Sequence, residues 1–194
     1  MRTIDSFWND LFELRVASCE LRDLKTYSLF PTPYSLFPIP YTPMKRELRK
    51  LFDARVEAVL KTLPAEVLDI INNEVPLLVE DYPSDEVMET MGIEYRDELC
   101  GLFTGIGITE KSIEAQPMAP DSVVIYREGI IVQALEADES LTDEFFERLD
   151  PELKLLKPSD INLDLLDEEI RITILHEYGH LHGLSDDDLE SLGY

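Results

Sequence analysis

All three histidines of the chain lie within one short segment close to its C-terminus, and this segment constrains the fold and chemistry more than any other. It reads HEYGHLHGLSD from His176 to Asp186, which is the pattern H-E-x-x-H-x-x-G-x-x-D. Residues four apart lie on the same face of an α-helix, so the imidazoles of His176 and His180 can bind one metal ion. Glu177 follows about a quarter-turn later, where its carboxylate can accept a proton from a metal-bound water without being a ligand.

A third ligand must come from outside this histidine pair, because a catalytic zinc has three protein ligands and one open position. Asp186 is the candidate, since Gly183 can adopt the left-handed conformation that ends a helix and return the chain toward the ion. His182 lies about 200° round the helix from His180, so we expect it to point away as a partly exposed helix-end histidine. The alternative interpretation is an amphipathic helix that carries two histidines four apart by chance, because bare H-E-x-x-H is only moderately specific.

Length and composition indicate one soluble globular domain. A chain of 194 residues is long enough for one core, and 44% hydrophobic with 30% charged residues is typical of soluble proteins. The net charge of -24 argues against binding to nucleic acids or anionic membranes, because their phosphates would be repelled. Cys19 and Cys100 match no metal or redox spacing, which suggests reduced thiols. The sequence contains no apolar core of a signal peptide and no apolar run long enough to span a membrane, so we expect a cytoplasmic protein. No feature of the sequence indicates an oligomeric state.

Residues 27–43 contain a proline-rich unit repeated almost letter for letter as YSLFPTP, YSLFPIP and a truncated YTP. The repeat carries no charge, and its prolines cannot join a helix or a central strand. It could be a proline-rich ligand or a polyproline spacer. We favour a different interpretation, because Met44 follows the repeat directly and is a plausible natural start. Residues 1–43 are then a disordered extension or an artefact of start-site choice, and residues 44–194 form the working domain.

Two long helices are predicted, one at each end of this domain. Apolar residues at helical spacing predict an amphipathic helix from Leu48 to Leu63, ended by Pro64. The last helix begins near Asn162 or Asp164, either of which could cap it. Its apolar stripe consists of Ile170, Ile174, Tyr178 and Leu181. Gly179 is expected to allow this helix to pack closely on the sheet.

Three apolar runs between these helices predict strands, at residues 75–80, 100–105 and 122–126. The first contains a proline and is interpreted as an edge strand. The third is the strongest strand signal, and residues 127–129 are interpreted as a turn before the apolar residues 130–132. Residues 81–98 are predicted to form a loop. Residues 137–160 are interpreted as an acidic connection with one short helix, with a lid over the cleft as the alternative.

The sequence resembles the small bacterial predicted zinc metallopeptidases with a minimal zincin-like fold, over about residues 44–194. The segments that carry the likeness are the leading helix with its Leu-Pro end, VEDYP at 79–83, GLFTG at 101–105, VIYR at 124–127 and, above all, the terminal HEYGHLHGLSDDDLESLGY. The resemblance implies an α+β fold in which a small mixed sheet packs against an N-terminal helix and a C-terminal metal-binding helix. It also implies zinc bound by His176, His180 and Asp186, with Glu177 as the catalytic base.

The spacing around the motif separates this chain from larger zinc peptidases. A thermolysin-like enzyme takes its third ligand, a glutamate, from a second helix well downstream, and only fourteen residues follow His180 here. A metzincin would have a histidine in place of Asp186 and a methionine beyond it, and no methionine follows Met118. The motif therefore predicts a minimal zinc hydrolase site.

The predicted function is hydrolysis of a peptide or protein substrate by a zinc-activated water whose pKa is lowered to about 7. Glu177 would take the proton from this water and return it to the leaving amine. Residues 122–126 are the candidate edge strand for holding an extended substrate. Tyr126, Arg127 and Tyr194 are candidates for stabilising the oxyanion, and each also has a structural interpretation. Two alternatives are a zinc-binding interaction module without useful turnover and a regulatory protease with one protein target.

Overall fold

The computed structural model describes residues 43–105, 121–149 and 153–192. Residues 1–42, which include most of the repeat and Cys19, lie outside the described residues, as does Tyr194. Seven α-helices lie within the described ranges: α1 (Arg46–Leu60), α2 (Ala65–Asn73), α3 (Asp85–Met91), α4 (Arg127–Glu136), α5 (Asp143–Arg148), α6 (Leu163–Leu181) and α7 (Asp186–Ser191). The strands are β1 (Leu77–Glu80), β2 (Gly101–Thr104) and β3 (Ser122–Tyr126), so the fold is α+β. Within these ranges, no helix combines the length and apolar character needed to cross a bilayer.

The three strands form one mixed sheet with the order β1-β3-β2. β1 runs parallel to β3, with Leu77 opposite Val123, and β2 runs antiparallel to it, with Gly101 opposite Ile125. Val123 and Ile125 of the central strand are completely buried. The expectation that residues 122–126 form an edge strand is therefore wrong, because β3 is paired along both edges. Among the described strands β1 lies at an edge of the sheet, as predicted from Pro76, which immediately precedes it.

α6 is the helix around which the other elements pack. It lies against β2 and β3 of the sheet and also contacts α1 and α4. The predicted apolar stripe of Ile170, Ile174, Tyr178 and Leu181 is fully buried in the core. The Tyr178 hydroxyl donates a hydrogen bond of 2.7 Å to the backbone carbonyl of Val75, which ties α6 to the segment that leads into β1. The side chain of Asn162 accepts from the backbone N–H groups of residues 164 and 165, so the predicted cap is confirmed.

α1 is the predicted N-terminal helix, and it ends at Leu60, three residues before the predicted end. Its buried residues are Leu48, Phe52, Val56 and Val59, which follow the helical spacing seen in the sequence. Pro64 stands at the N-cap of α2, where a proline is tolerated because no helical N–H is needed from it. Burying each of these large apolar side chains contributes about 1.5–3 kcal/mol to folding.

Two segments that were predicted as a turn and a loop are helical. Residues 127–132 belong to α4, and seven of the ten residues of this helix are buried. A helix buried over most of its surface shows only a weak 3.6-residue pattern, and its isoleucines and valine are typical of strands, so the prediction of a turn at residues 127–129 was wrong. The segment 81–98 contains α3, which Ser84 caps and Gly92 ends at a φ of 69°. α3 buries no side chain, so only these start and stop residues could have revealed it.

Candidate metal centre

His176 and His180 lie one turn apart near the C-terminal end of α6. Their Nε2 atoms are 3.0 Å apart, and each side chain is about one quarter exposed, at 27% and 26%. The Nδ1 atom of His180 lies 3.0 Å from the backbone carbonyl oxygen of Leu184. A neutral His180 donates a hydrogen bond from Nδ1–H to this carbonyl, which leaves the lone pair on its Nε2 atom. His176 can donate its own Nε2–H to this lone pair or, as the other tautomer, offer a second lone pair to a metal ion.

Asp186 approaches the same point from the first residue of α7. Its Oδ1 atom lies 3.2 Å from Nε2 of His180 and 3.5 Å from Nε2 of His176. Gly183 has a φ of 82°, and its N–H donates to the carbonyl of His180. This left-handed residue ends α6 and turns the chain back, as the sequence predicts. The structure thus brings the three predicted ligands together.

The separations of the three potential ligand atoms are compatible with a zinc ion. Tetrahedral zinc with bonds of about 2.0–2.2 Å places its ligand atoms about 3.3 Å apart. The observed separations run from 3.0 to 3.5 Å, and imidazole and carboxylate are donors that zinc accepts. The side chain of Asp186 is 85% exposed, so the cluster is open to solvent on the side of Asp186. Among the described residues, His176, His180 and Asp186 are the group that could hold a metal.

The side chain of Glu177 lies against Gly101 of β2. Its side chain is buried, and the residue is only 7% exposed. Burial raises the pKa of this carboxyl to about 7, the nearby Asp186 charge also raises it, and a hydrogen bond from the Phe103 backbone N–H opposes both effects. A carboxyl group with a pKa near 7 can both accept and return a proton at neutral pH. The geometry therefore places a buried carboxyl group on the same helix as two of the three potential metal ligands.

A sequence profile of the zincin-like metallopeptidases matches residues 72–148 and 159–194, which together make up more than half of the chain. The chain belongs to the zincin-like metallopeptidase family. The second matched range contains all of α6 and α7, and with them Glu177 and the three residues that could hold the metal. No curated protein matches this zincin in sequence.

The third histidine of this zincin takes no part in the metal centre. His182 is the C-cap residue of α6 and is partly buried. Burial lowers its pKa, while the charge of Glu74 acts in the opposite direction. It lies outside the group of potential ligands, in agreement with its position on the helix.

Two of the three candidates for oxyanion stabilisation lie within the described residues. Tyr126 is 2% exposed, and burial raises its pKa to about 12, so its hydroxyl belongs to the interior. Arg127 forms ion pairs with Asp53 at 2.6 Å and Asp81 at 3.1 Å, which link α4 to α1 and to the end of β1. Both residues therefore contribute to the fold of this zincin.

Two glycines near the metal centre have close neighbours that the sequence did not predict. A β-carbon on Gly101 of β2 would lie 2.7 Å from Cγ of Glu177. A β-carbon on Gly179 would overlap Cδ2 of Leu189, which belongs to α7. The expectation that Gly179 packs on the sheet is therefore wrong. A glycine in the sequence can indicate that another segment lies close to the backbone. Which segment lies there depends on how the helices and strands pack, so the sequence alone did not identify Glu177 and Leu189 as the neighbours.

Proposed function

We propose that this zincin is a zinc-dependent peptidase that hydrolyses peptide bonds with Glu177 as its general base. The observation that carries the proposal is the arrangement of three ligand atoms 3.0–3.5 Å apart beside a buried carboxyl group on the same helix. Membership of the zincin-like metallopeptidase family supports the same reaction class. His176, His180 and Asp186 hold the metal in this proposal.

When bound, zinc supplies Lewis acidity toward water and toward the substrate carbonyl. Glu177 accepts the proton of the attacking water at its carboxylate and returns it to the amide nitrogen as the C–N bond breaks. The N–H of Phe103 holds this carboxylate in place through its hydrogen bond. Burial beneath β2 raises the pKa of Glu177 to about 7, so its carboxyl group can take up and release a proton at neutral pH.

The outer edge of β2 replaces β3 as the proposed site for an extended peptide. β2 pairs with β3 along one edge, and no strand among the described residues pairs with the other. The N–H of Tyr126 in β3 donates a hydrogen bond to the Cys100 carbonyl. Backbone groups alternate in direction along an antiparallel strand, so those of Gly101 and Phe103 point toward the outer edge of β2. In this proposal a peptide pairs with the backbone of Gly101, beside Glu177, while the Phe103 N–H keeps its hydrogen bond to the Glu177 carboxylate.

The deciding experiment compares the full-length protein with its Glu177→Gln variant. Zinc content is measured by elemental analysis, and peptidase activity is measured on a diverse peptide library. We expect one zinc per chain in both proteins and cleavage by the wild type alone, because glutamine keeps the shape of the side chain and cannot accept the proton. Glu57→Gln, an exposed change on α1, is the matched control and should retain both properties.

Each part of the proposal has its own contrary result. Wild-type protein that binds zinc and leaves the whole library intact would favour a zinc-binding interaction module. Cleavage that persists in Glu177→Gln would remove the assigned base. Equal zinc contents in the wild type and in His176→Ala would overturn the metal centre itself.

A further inference from the structure

The third potential ligand is held by the backbone of α7 and not by packing around its own side chain. The Asp186 side chain is 85% exposed, whereas those of His176 and His180 are about one quarter exposed on a helix packed in the core. A carboxylate so open to water is not confined by neighbouring side chains. Its position therefore depends on where α7 begins and how α7 is attached to α6.

The start of α7 is set by reciprocal hydrogen bonds between Ser185 and Asp188. The backbone N–H and the hydroxyl of Ser185 donate to the Asp188 carboxylate at 2.9 Å and 2.6 Å. The N–H of Asp188 donates to the Ser185 hydroxyl oxygen at 3.3 Å. This capping box makes Asp186 the first residue of the helix. It sets the orientation of Asp186 relative to α7, but it does not attach α7 to the rest of the fold.

The attachment is made by Leu189, which is completely buried although α7 is six residues long. Its side chain lies directly on the backbone of Gly179. A β-carbon there would overlap Cδ2 of Leu189 and would lie 3.4 Å from both Cδ1 and Cγ. Gly179 immediately precedes His180, so Leu189 contacts α6 between the two histidine ligands.

We propose that the contact between Gly179 and Leu189 positions Asp186 for metal binding, so that both residues determine zinc affinity without touching the metal. The inference rests on the proposed metal centre. Leu189 lies three residues after Asp186, almost one turn along α7, so its insertion against Gly179 fixes the distance of the carboxylate from the imidazoles. A side chain at position 179 must displace the buried Leu189 side chain, and in this proposal α7 and Asp186 move outward with it.

The test measures zinc affinity of the full-length protein by competition with a chromophoric chelator, and the visible spectrum of the cobalt-substituted protein. Leu189→Ala and Gly179→Ala should each weaken zinc binding by about 10- to 100-fold, the usual effect of losing a partner that orients a ligand. Both should also reduce the tetrahedral cobalt absorption. The double variant should bind zinc more tightly than Gly179→Ala alone, because removing the leucine side chain relieves the overlap.

Two controls distinguish a loss of zinc affinity that acts through Asp186 from a general loss of stability. In an Asp186→Ala background, Leu189→Ala should cause no further loss of zinc affinity. Leu48→Ala, which removes a buried leucine from α1, should lower the thermal midpoint and leave zinc affinity unchanged. If Leu189→Ala does not fold, Gly179→Ala decides the question, because it should weaken zinc binding in the wild-type background and cause no further loss in the Asp186→Ala background.

Wild-type zinc affinity in Leu189→Ala or Gly179→Ala overturns the inference and leaves the proposed function standing. An equal loss from Leu189→Ala with and without the Asp186 carboxylate also overturns it. Wild-type protein that binds no zinc overturns the proposed function, and the inference fails with it.

Discussion

The backbone of Gly101 in β2 lies against the side chain of Glu177 in α6. A β-carbon on Gly101 would lie 2.7 Å from Cγ and 2.8 Å from Oε1 of Glu177, and 2.9 Å from Cγ2 of Thr173. The proposed general base therefore occupies space that exists because residue 101 has no side chain. The Phe103 N–H, two residues further along the same strand, donates to the carboxylate. β2 thus determines where the carboxylate of Glu177 lies relative to the metal centre.

Gly101→Ala should reduce peptidase activity while zinc remains bound. The added methyl group must displace Glu177, and a misplacement of about 1 Å in a catalytic group can reduce the rate about 100-fold. The crowding should also lower the free energy of unfolding by about 1–3 kcal/mol. Steady-state kinetics, zinc content and urea unfolding measure the three quantities.

Gly92→Ala is the matched control for this change. A β-carbon on Gly92 meets nothing within 4 Å, but the residue has a φ of 69°, so alanine there is strained and costs about 1 kcal/mol. This variant should lose stability and keep its activity. Equal activities of wild type and Gly101→Ala would show that Gly101 does not position the base.

The cluster of potential metal ligands could be predicted from the sequence because its determinants are local. The spacing of His176 and His180 on one helix, the Asn162 cap and the glycine that turns the chain toward Asp186 all act over a few residues. Strand order depends on pairing between distant segments, so it could not be read from three short apolar runs. The strongest strand signal is the apolar run at residues 122–126. This run is apolar because β3 is the central strand, whose Val123 and Ile125 are buried in the core.

Gly129→Ala should destabilise the protein more than Gly101→Ala, because the atoms closest to Gly129 belong to the backbone of Leu99 and not to a side chain. A β-carbon on Gly129 would overlap the carbonyl oxygen of Leu99 and lie 2.9 Å from the carbonyl carbon. A backbone carbonyl cannot rotate away as a side chain can, so we expect a loss of about 3 kcal/mol in the free energy of unfolding. Urea unfolding followed by circular dichroism measures the loss. An unchanged midpoint would show that α4 can shift away from the segment before β2.

Arg96→Met should destabilise the protein by about 3–5 kcal/mol. The Arg96 guanidinium lies 2.9 Å from the Glu128 carboxylate, and the two side chains are only 11% and 6% exposed. Losing the arginine removes the ion pair of a buried carboxylate and also a cation–π contact with the Tyr82 ring, at 4.4 Å. The double variant Arg96→Met/Glu128→Gln should regain part of the stability, because it removes both charges of the buried pair. A double variant less stable than Arg96→Met would contradict this account.

Chelation of the metal should lower the thermal midpoint of the wild type. A ligand that binds only the folded protein adds about 2.7 kcal/mol at a concentration of 100 times its Kd. For a protein of this size, that corresponds to a fall of about 5–10 °C on removal. Scanning calorimetry with and without EDTA measures the difference, and His176→Ala should show none. Equal midpoints of the wild type in both conditions would contradict stabilisation by a bound metal.

Removal of residues 1–43 should leave folding and zinc binding intact. Met44 is 8% exposed, and its backbone nitrogen donates to Oδ2 of Asp81 at 3.3 Å. Asp81 also pairs with Arg49 and Arg127, so a chain that begins at Met44 would place its α-ammonium group, largely protonated at pH 7, beside an existing acceptor. We expect the same zinc content and a thermal midpoint at least equal to that of the full chain. A protein that lacks residues 1–45 is the control, and it should be less stable because it loses this donor and the buried methionine. Loss of solubility or of zinc on removal of residues 1–43 alone would show that the extension belongs to the working protein.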